Sequence, residues 1–328
     1  MKSYKLTIAV ITACCAMAWG VRVAYSQGQA SPGTVQVHLV ITDQALNDSD
    51  DAPVLQANDI QVRQGRDALK VGQLIPARGD NAALQLFVLV DETCDHSIGN
   101  NLNDLRDFIN AQPQSTMVGV AYMSNATFQI AQNLTADHAA AATAVRLPRG
   151  NLSAMDSPYL SLISLVNSWP QQNVRRQVLM VTDGIDRLRG ERPSRGRIAP
   201  APRTMPTISP DADSASNASQ RNGVIVHSIY SPGVGRLGRN AWQAQLGQAG
   251  IARIADETGG EYFALGTQSP VSFKPYLDRL QRIFNNQYFL VFQAIPRNRA
   301  GLQRVNISTT VANADIGSAN NVWVPAGA

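Results

Sequence analysis

Three oxygen-bearing side chains alternate where an apolar stretch of the sequence stops. Residues 84–90 are apolar apart from Gln85, and Asp91, Thr93 and Asp95 follow. A chain that leaves a strand in extended form turns alternate side chains to the same side. The spacing therefore predicts three oxygen ligands above the end of one strand.

A further carboxylate follows a second apolar stretch. Residues 177–182 are mostly apolar, and Asp183 comes next. Both stretches are typical of central strands in a parallel sheet, where ligands bind at the carboxyl ends. Asp91 and Asp183 are then expected side by side, where two carboxylates without a nearby lysine would repel each other. A hard cation with oxygen ligands would remove this cost.

The elements that must position these residues alternate between strands and helices. Strands are predicted at 84–90, 117–123, 126–131, 177–182, 224–230 and 261–265, and helices at 101–110, 136–147, 158–169 and 242–258. This order predicts an α/β domain, residues 84–268, with a mainly parallel sheet. Residues 27–83 read as antiparallel strands, and residues 269–328 as one helix followed by strands. The two flanks predict a small β-sandwich-like domain into which the α/β domain is inserted.

One segment has too few large apolar residues to pack. Residues 187–222 are rich in proline, serine and arginine. This composition predicts a long, flexible insertion loop, with a short helix possible at 211–221. The arginines could bind an acidic surface, but a solvated loop is the favoured interpretation.

The first 26 residues have the pattern of an export signal. A basic start precedes an apolar run, and small residues at Ala24 and Ser26 favour cleavage before Gln27. A lipoprotein anchored at Cys14 is the alternative. We expect an exported protein, periplasmic or extracellular, without a transmembrane segment in its mature form.

The mature chain would be nearly neutral and would hold one cysteine. The signal contains three basic residues and no acidic one, so its removal lowers the formal net charge from +4 by three, to +1. This charge does not favour nucleic-acid binding. Only Cys94 remains after cleavage, which excludes an internal disulfide.

The acidic motifs resemble a known domain. Asp91-x-Thr93-x-Asp95, a later hydroxyl and the run Val181-Thr182-Asp183-Gly184 resemble a von Willebrand factor type A domain. The flanking stretches "LQANDIQVRQGRDALKV" and "DETGGEYFALGTQSPVSFKPYLDRLQRIFNNQYFLVFQA" resemble the exported bacterial VWFA-related family found widely in Acidobacteria. The resemblance covers nearly all of the mature chain and implies a doubly wound, mainly parallel sheet. The biochemical role of this family is largely undefined.

The resemblance also implies a metal-ion-dependent adhesion site. Asp91, Thr93 and Asp183 match the first Asp, the first Ser and the last Asp of that motif. Asp95 stands where the second Ser belongs and adds a charge. Ser157 matches the hydroxyl of the second loop. These five residues are the predicted metal ligands.

The predicted ion is Mg²⁺, with Ca²⁺ or Mn²⁺ less favoured, because the set mixes hydroxyls with carboxylates and leaves room for water. Ser153 is the alternative to Ser157, and Asp186 lies within reach of the same rim. Asp183→Ala is expected to weaken ion binding while leaving the fold intact, since it removes a repelling carboxylate.

The predicted function is recognition of a protein partner by an adhesion or scaffold-type module. A partner's Asp or Glu could complete the metal shell. The alternative is a structural or assembly module of the cell envelope with a non-functional metal site. We do not expect an enzyme, because no general acid, base and nucleophile converge. An enzyme would need Cys94 or a metal-bound water as its reactive group, and His96 is not favoured as the base for Cys94 because a nucleophile and its base usually come from different segments.

Overall fold

A computed structural model describes most of the chain after the first 32 residues. The described residues are 33–45, 54–150, 152–153, 155–172, 174–188, 208–238 and 240–327. The predicted signal, the alternative at Cys14 and residues 189–207 of the predicted loop lie outside them. Within the described ranges, no helix has the length and apolar character needed to cross a bilayer.

The N-terminal strands include a short hairpin. The strands are β1 (Val35–Asp43), β2 (Ile60–Gln64), β3 (Asp67–Leu69) and β4 (Val71–Pro76). β2 pairs with β3 in antiparallel fashion. Gly65 turns the chain between them with a φ of 64°, a left-handed conformation that favours glycine.

A six-stranded sheet forms the centre of the molecule. Its strands are β5 (Leu84–Asp91), β6 (Thr116–Ser124), β7 (Thr127–Thr135), β8 (Arg175–Thr182), β9 (Val224–Tyr230) and β10 (Tyr262–Phe263). They lie in the order β10-β9-β8-β5-β6-β7, and only the edge strand β7 is antiparallel to its neighbour. Every residue of β5 and β8 is buried, as expected of central strands covered on both faces.

Helices cover both faces of this sheet. They are α1 (Leu102–Asn110), α2 (His138–Thr143), α3 (Pro158–Ser168), α4 (Pro210–Asn222), α5 (Gly235–Gly238), α6 (Ala241–Thr258) and α7 (Lys274–Asn285). α1, α2 and α7 share a core with one face, and α3, α4 and α6 share a core with the other. The predicted fold class, a doubly wound and mainly parallel sheet, is therefore confirmed.

The C-terminal strands join the N-terminal ones in a β-rich unit. These strands are β11 (Gln287–Ala294), β12 (Gly301–Arg304), β13 (Asn306–Thr309), β14 (Ile316–Ser318) and β15 (Asn321–Val324). One sheet has the order β14-β1-β11-β4, a second has the order β13-β2-β3, and β12 pairs with β15. Side chains from both flanks share one apolar core. The two flanks thus build one unit, as the sequence predicts.

The β-rich unit lies at the amino ends of the parallel strands. Arg175, the first residue of β8, donates to the Phe284 carbonyl at 2.7 Å and to Gln287 Oε1 at 2.9 Å. Asn321 of β15 donates to Gln220 near the end of α4. The opposite end, where β5, β8 and β9 finish, is called the top below.

Helix α2 is shorter than the predicted helix at 136–147. It ends at Thr143, and the Tyr122 hydroxyl accepts the Arg146 N–H at 2.6 Å. This hydrogen bond, together with the contact of the Arg146 guanidinium with the Tyr122 ring, directs the chain towards the top of β6. A tertiary contact of this kind has no local sequence signal.

The second part of the predicted flexible loop is a packed helix. α4 begins after Ser209, whose side chain accepts the Asp211 N–H, and ends at Gly223 with a φ of 62°. Its buried face consists mainly of small residues, including Ala212, Ala215 and Ser219. From the sequence, this stretch has too few large apolar residues to predict a packed element. Small side chains, however, allow α4 to pack closely against α3 and α6. Flexibility was therefore the wrong prediction for residues 210–222.

Candidate functional site

The two predicted carboxylates meet at the top of the sheet. β5 and β8 are parallel neighbours, and the strand order reverses direction at this pair. Such a switch point is the usual ligand site of an open α/β sheet. Asp91 and Asp183 are both buried here, with 3% and 0% of their surface exposed. Their proximity confirms what the strand order implies.

Asp91 is held in place by its neighbours. Its Oδ2 accepts the Thr182 hydroxyl at 2.6 Å, and its Oδ1 accepts the Thr93 N–H at 2.9 Å. Burial raises the pKa of Asp91 to about 6, and the negative charge of Asp183 adds to the increase. The positive charge of Arg187 opposes both effects. The two acids therefore interact, and a third group moderates their repulsion.

The third group is Arg187, which is predicted from the sequence to lie in an exposed loop. Arg187 Nη2 lies 2.5 Å from Asp183 Oδ2, and Nη1 lies 3.3 Å from Oδ1. Both side chains are buried. The assignment of Arg187 to a solvated segment was wrong. The available signal was an arginine four residues after an acid that ends a buried strand.

A loop after β9 closes over this ion pair. Val234 donates its N–H to the Thr93 carbonyl at 2.8 Å, and Asp95 donates its N–H to the Pro232 carbonyl at 2.7 Å. Between them, Gly233 approaches so closely that a Cβ there would lie 1.8 Å from Asp183 Oδ2. The backbone thus covers Asp183, and a carboxylate from a partner has no path to it in this arrangement.

Two of the predicted ligands act as helix caps. Asp95 Oδ1 accepts the Ser97 N–H at 2.9 Å and caps the 3₁₀-helix His96–Asn101. Ser157 Oγ accepts the Leu160 N–H at 3.4 Å and caps α3. The alternative, Ser153, accepts the Met155 N–H through its hydroxyl. In each case the side-chain oxygen accepts a hydrogen bond from a backbone N–H two or three residues later in the chain.

Asp186 also has a partner near the top. Its Oδ2 accepts the Ser209 hydroxyl at 2.6 Å. This contact ties the segment after β8 to the residue that caps α4. Asp186 therefore connects the segment after β8 to the start of α4 at the edge of the site.

As arranged, these residues do not fit a divalent ion. Both carboxylate oxygens of Asp183 face Arg187, and Oδ1 also accepts the Ile185 N–H at 2.9 Å. Thr93 Oγ1 is buried and has no hydrogen-bond partner. Within the described ranges, no group of three or more His, Cys, Asp or Glu side chains is placed to hold a metal. Bound Mg²⁺ stays a prediction from the sequence alone, and titration of the wild-type protein with Mg²⁺ and Mn²⁺ tests it.

Cys94 lies beneath the same loops. The residue is fully buried, and its Sγ donates to the Val181 carbonyl at 3.7 Å. Burial raises the pKa of the thiol well above its ordinary value, and the charges of Asp91 and Asp183 raise it further. A nucleophilic cysteine needs a lowered pKa and access to solvent. The environment of Cys94 provides neither.

An apolar rim surrounds the closed site. It consists of the exposed side chains of Leu147, Leu152, Met155, Trp242, Leu265 and Val271. Two contacts connect parts of this region: a Cβ on Gly235 would lie 2.4 Å from Leu152, and Asn101, next to the start of α1, donates to the Pro270 carbonyl at 3.0 Å. The six side chains of the apolar rim therefore all lie at the top of the sheet, on loops and helix starts that partly contact one another.

Glu92 fixes the loop that carries Leu147. Its carboxylate pairs with the Arg146 guanidinium and accepts the Arg149 N–H at 2.7 Å. The Glu92 carbonyl accepts the Gly150 N–H at 3.0 Å. Three contacts to one residue hold this part of the rim against the end of β5.

Ser157→Ala is expected to lower the free energy of unfolding by about 1 kcal/mol, because an N-cap hydroxyl is lost from α3. Urea unfolding with and without Mg²⁺ measures this loss. Ser157→Thr keeps a hydroxyl and serves as the control. A loss that occurs only in the presence of Mg²⁺ would instead place Ser157 in a metal site.

No family model matches the sequence, and no curated protein matches it either. Several solved structures are similar in shape. An aerotolerance-related membrane protein from Bacteroides fragilis, with multiple mutations to serines, is 12% identical, with 62% of this chain and 99% of that chain covered and a TM-score of 0.44. The VWA domain of SpRpn10 is 12% identical, with 61% and 95% covered and a TM-score of 0.36. Proximal thread matrix protein 1 from the mussel byssus is 12% identical, with 66% and 48% covered and a TM-score of 0.41.

Proposed function

We propose that this chain is a protein-binding module that contacts its partner through the apolar rim and does so without a bound metal ion. The observation that carries this proposal is the position of the exposed apolar side chains. Among the described residues, six of the eleven large apolar side chains that are exposed lie at the top. Scattered apolar residues need no explanation, but exposed apolar side chains concentrated on one part of a protein surface commonly mark an interaction site.

Two members of the apolar rim support binding most strongly. Trp242 is 49% exposed at the start of α6, and Val271 is 93% exposed before α7. Tryptophan is enriched among the residues that dominate protein–protein affinity. A folded, rigid sheet beneath the loops would position these side chains without much loss of conformational entropy on binding.

The closed ion pair supports binding that is independent of metal. Asp183 is covered by Gly233 and neutralised by Arg187, so a partner at the top would meet the rim rather than a coordination position. On this proposal, the covered pair of Asp183 and Arg187 supports the loops of the apolar rim and does not itself contact the partner. The partner would then bind through apolar contacts with the rim, and not through an Asp or Glu that completes a metal shell.

We place this module outside the cytoplasm because of the sequence of residues 1–26. Their basic start, apolar run and small residues have the pattern of an export signal. The partner is then a protein of the envelope or of the exterior, and an envelope extract is the appropriate source for it.

Capture from an envelope extract tests the proposal with matched variants. Leu152→Ser/Met155→Ser removes two apolar side chains from the rim, and Met117→Ser/Ile130→Ser removes two of similar exposure elsewhere. We expect the rim variant to lose proteins that the wild type and the second variant both retain. Adding EDTA should not change the wild-type set. Equal capture by both variants, or a loss on adding EDTA, would contradict the proposal.

The second candidate is an assembly module that pairs through a strand edge. β7 is the outer strand of the central sheet, its nine residues contain no charged side chain, and Ile130 is 47% exposed on it. Natural edge strands are usually protected by charge or proline. A loss of capture or of self-association confined to Met117→Ser/Ile130→Ser would favour this candidate.

A further inference from the structure

Arg187 is a buried cation at the point where the sequence predicts a metal ion. Its side chain is 4% exposed, and that of Asp183 is 0% exposed. The two terminal nitrogens face the two carboxylate oxygens, at 2.5 and 3.3 Å. Paired contacts between guanidinium and carboxylate combine charge with fixed geometry. They place a permanent positive charge beside Asp183.

The same positive charge acts on the second carboxylate. Asp91 lies near enough to Asp183 for repulsion between them, and Arg187 counteracts this repulsion. Two buried acids therefore share one basic group. The sequence predicted that a bound cation would offset the repulsion between Asp91 and Asp183. In the structure, the guanidinium of Arg187 provides this positive charge.

The space around the ion pair is already filled. A Cβ on Gly233 would lie 1.8 Å from Asp183 Oδ2 and 2.6 Å from Arg187 Nη2, so the backbone rests on the pair. Mg²⁺ usually keeps several of its water ligands, which need room. Thr93 Oγ1, a hydroxyl that a metal could use, is buried without a hydrogen-bond partner. The oxygen ligands are present, but the guanidinium takes the place of an ion.

We infer that Arg187 substitutes for a divalent cation in this chain, and that Asp91, Thr93 and Asp183 form a latent cation site that binds Mg²⁺ or Mn²⁺ only when the guanidinium is removed. Carboxylate and hydroxyl oxygens are suitable ligands for both ions. This inference does not depend on the partner proposed above. It predicts that one substitution at Arg187 converts an ion pair into a metal site.

Mn²⁺ titration of purified variants tests the inference. The electron paramagnetic resonance signal of free Mn²⁺ reports binding, and thermal unfolding in Mn²⁺, Mg²⁺ or EDTA reports stabilisation. Arg187→Ala should bind about one Mn²⁺ per chain, and its Tm should rise by several degrees when the ion is well above its Kd. Wild type should bind no ion at millimolar concentration and should show no shift. Arg187→Ala/Asp183→Asn should lose the response of the single variant.

Arg187→Gln provides a second neutral variant that keeps more of the side-chain volume. If Arg187→Ala does not accumulate in folded form, refolding in Mn²⁺ should recover it, whereas refolding in EDTA should not. Binding of Mn²⁺ by wild type that Asp183→Asn abolishes would overturn the inference, because the ion would then displace Arg187. Failure of both neutral variants to bind Mn²⁺ would also overturn it, because the oxygen ligands would then not form a cation site.

Discussion

Replacing Asp183 by alanine should lower the free energy of unfolding by about 3–5 kcal/mol, because the substitution leaves the Arg187 guanidinium buried without its partner. Asp91 is already held by Thr182 and by the Thr93 N–H, so it does not take over the paired contact. This result is the reverse of what the sequence alone predicts for Asp183→Ala. Urea unfolding followed by circular dichroism measures the loss.

Two further variants separate the ion pair from other effects. Asp95→Ala removes only a cap at the same end of the sheet, so it should cost about 0.5–2 kcal/mol. Asp183→Leu/Arg187→Met replaces the whole pair by apolar side chains and should recover most of the stability, since a buried pair contributes little beyond its mutual neutralisation. A loss in Asp183→Ala no greater than that in Asp95→Ala would show that Arg187 finds another partner.

Acid should destabilise the fold through His227. The ring is fully buried, its Nδ1 accepts the Glu261 N–H at 3.1 Å, and its Nε2 lies 2.7 Å from Gln177 Oε1. Burial lowers the pKa of His227 from 6.5 to about 3. Between these values the unfolded chain binds a proton that the folded chain does not. The His227 contribution therefore falls by about 1.4 kcal/mol for each pH unit below about 6.5.

Comparison with His227→Gln isolates this contribution. The raised pKa of Asp91, about 6, acts in the opposite direction, because folding favours proton uptake at Asp91 between pH 3.8 and 6. The difference between wild type and His227→Gln cancels that effect. We expect the variant to have a shallower loss of stability towards low pH, whereas His96→Gln, at an exposed position, should follow the wild type. Parallel curves for wild type and His227→Gln would contradict the prediction.

Local sequence patterns predicted the sheet well because burial on both faces leaves a clear signal. The continuous apolar runs that became β5 and β8 identified the two central strands, and the topology of such sheets then placed Asp91 beside Asp183. The union of the two flanks also followed from order and composition. These features depend on periodicity and on general rules of chain topology.

The chemistry of the site was less predictable because it depends on side-chain contacts. Arg187 stands at the start of an arginine-rich stretch, and nothing in that composition distinguishes a buried guanidinium from solvated ones. Asp95 and Ser157 have the residue types of ligands and of caps alike, and only the backbone geometry shows that they bind N–H groups. A short helix at 211–221 was considered, but the packing of α4 was not predicted because its buried face is made mainly of small residues.

The antiparallel pair of β1 and β11 also determines how the molecule would carry a mechanical load. Val35 pairs with Ala294, and Gly327 donates its N–H to the Arg297 carbonyl, so both ends of the described chain emerge at one corner. β11 begins at Gln287, beneath the central sheet, and ends at Ala294, at that corner. A pull between Val35 and the top therefore draws β1 and β11 along their length in opposite directions. Their hydrogen bonds would be strained together in shear rather than opened one after another.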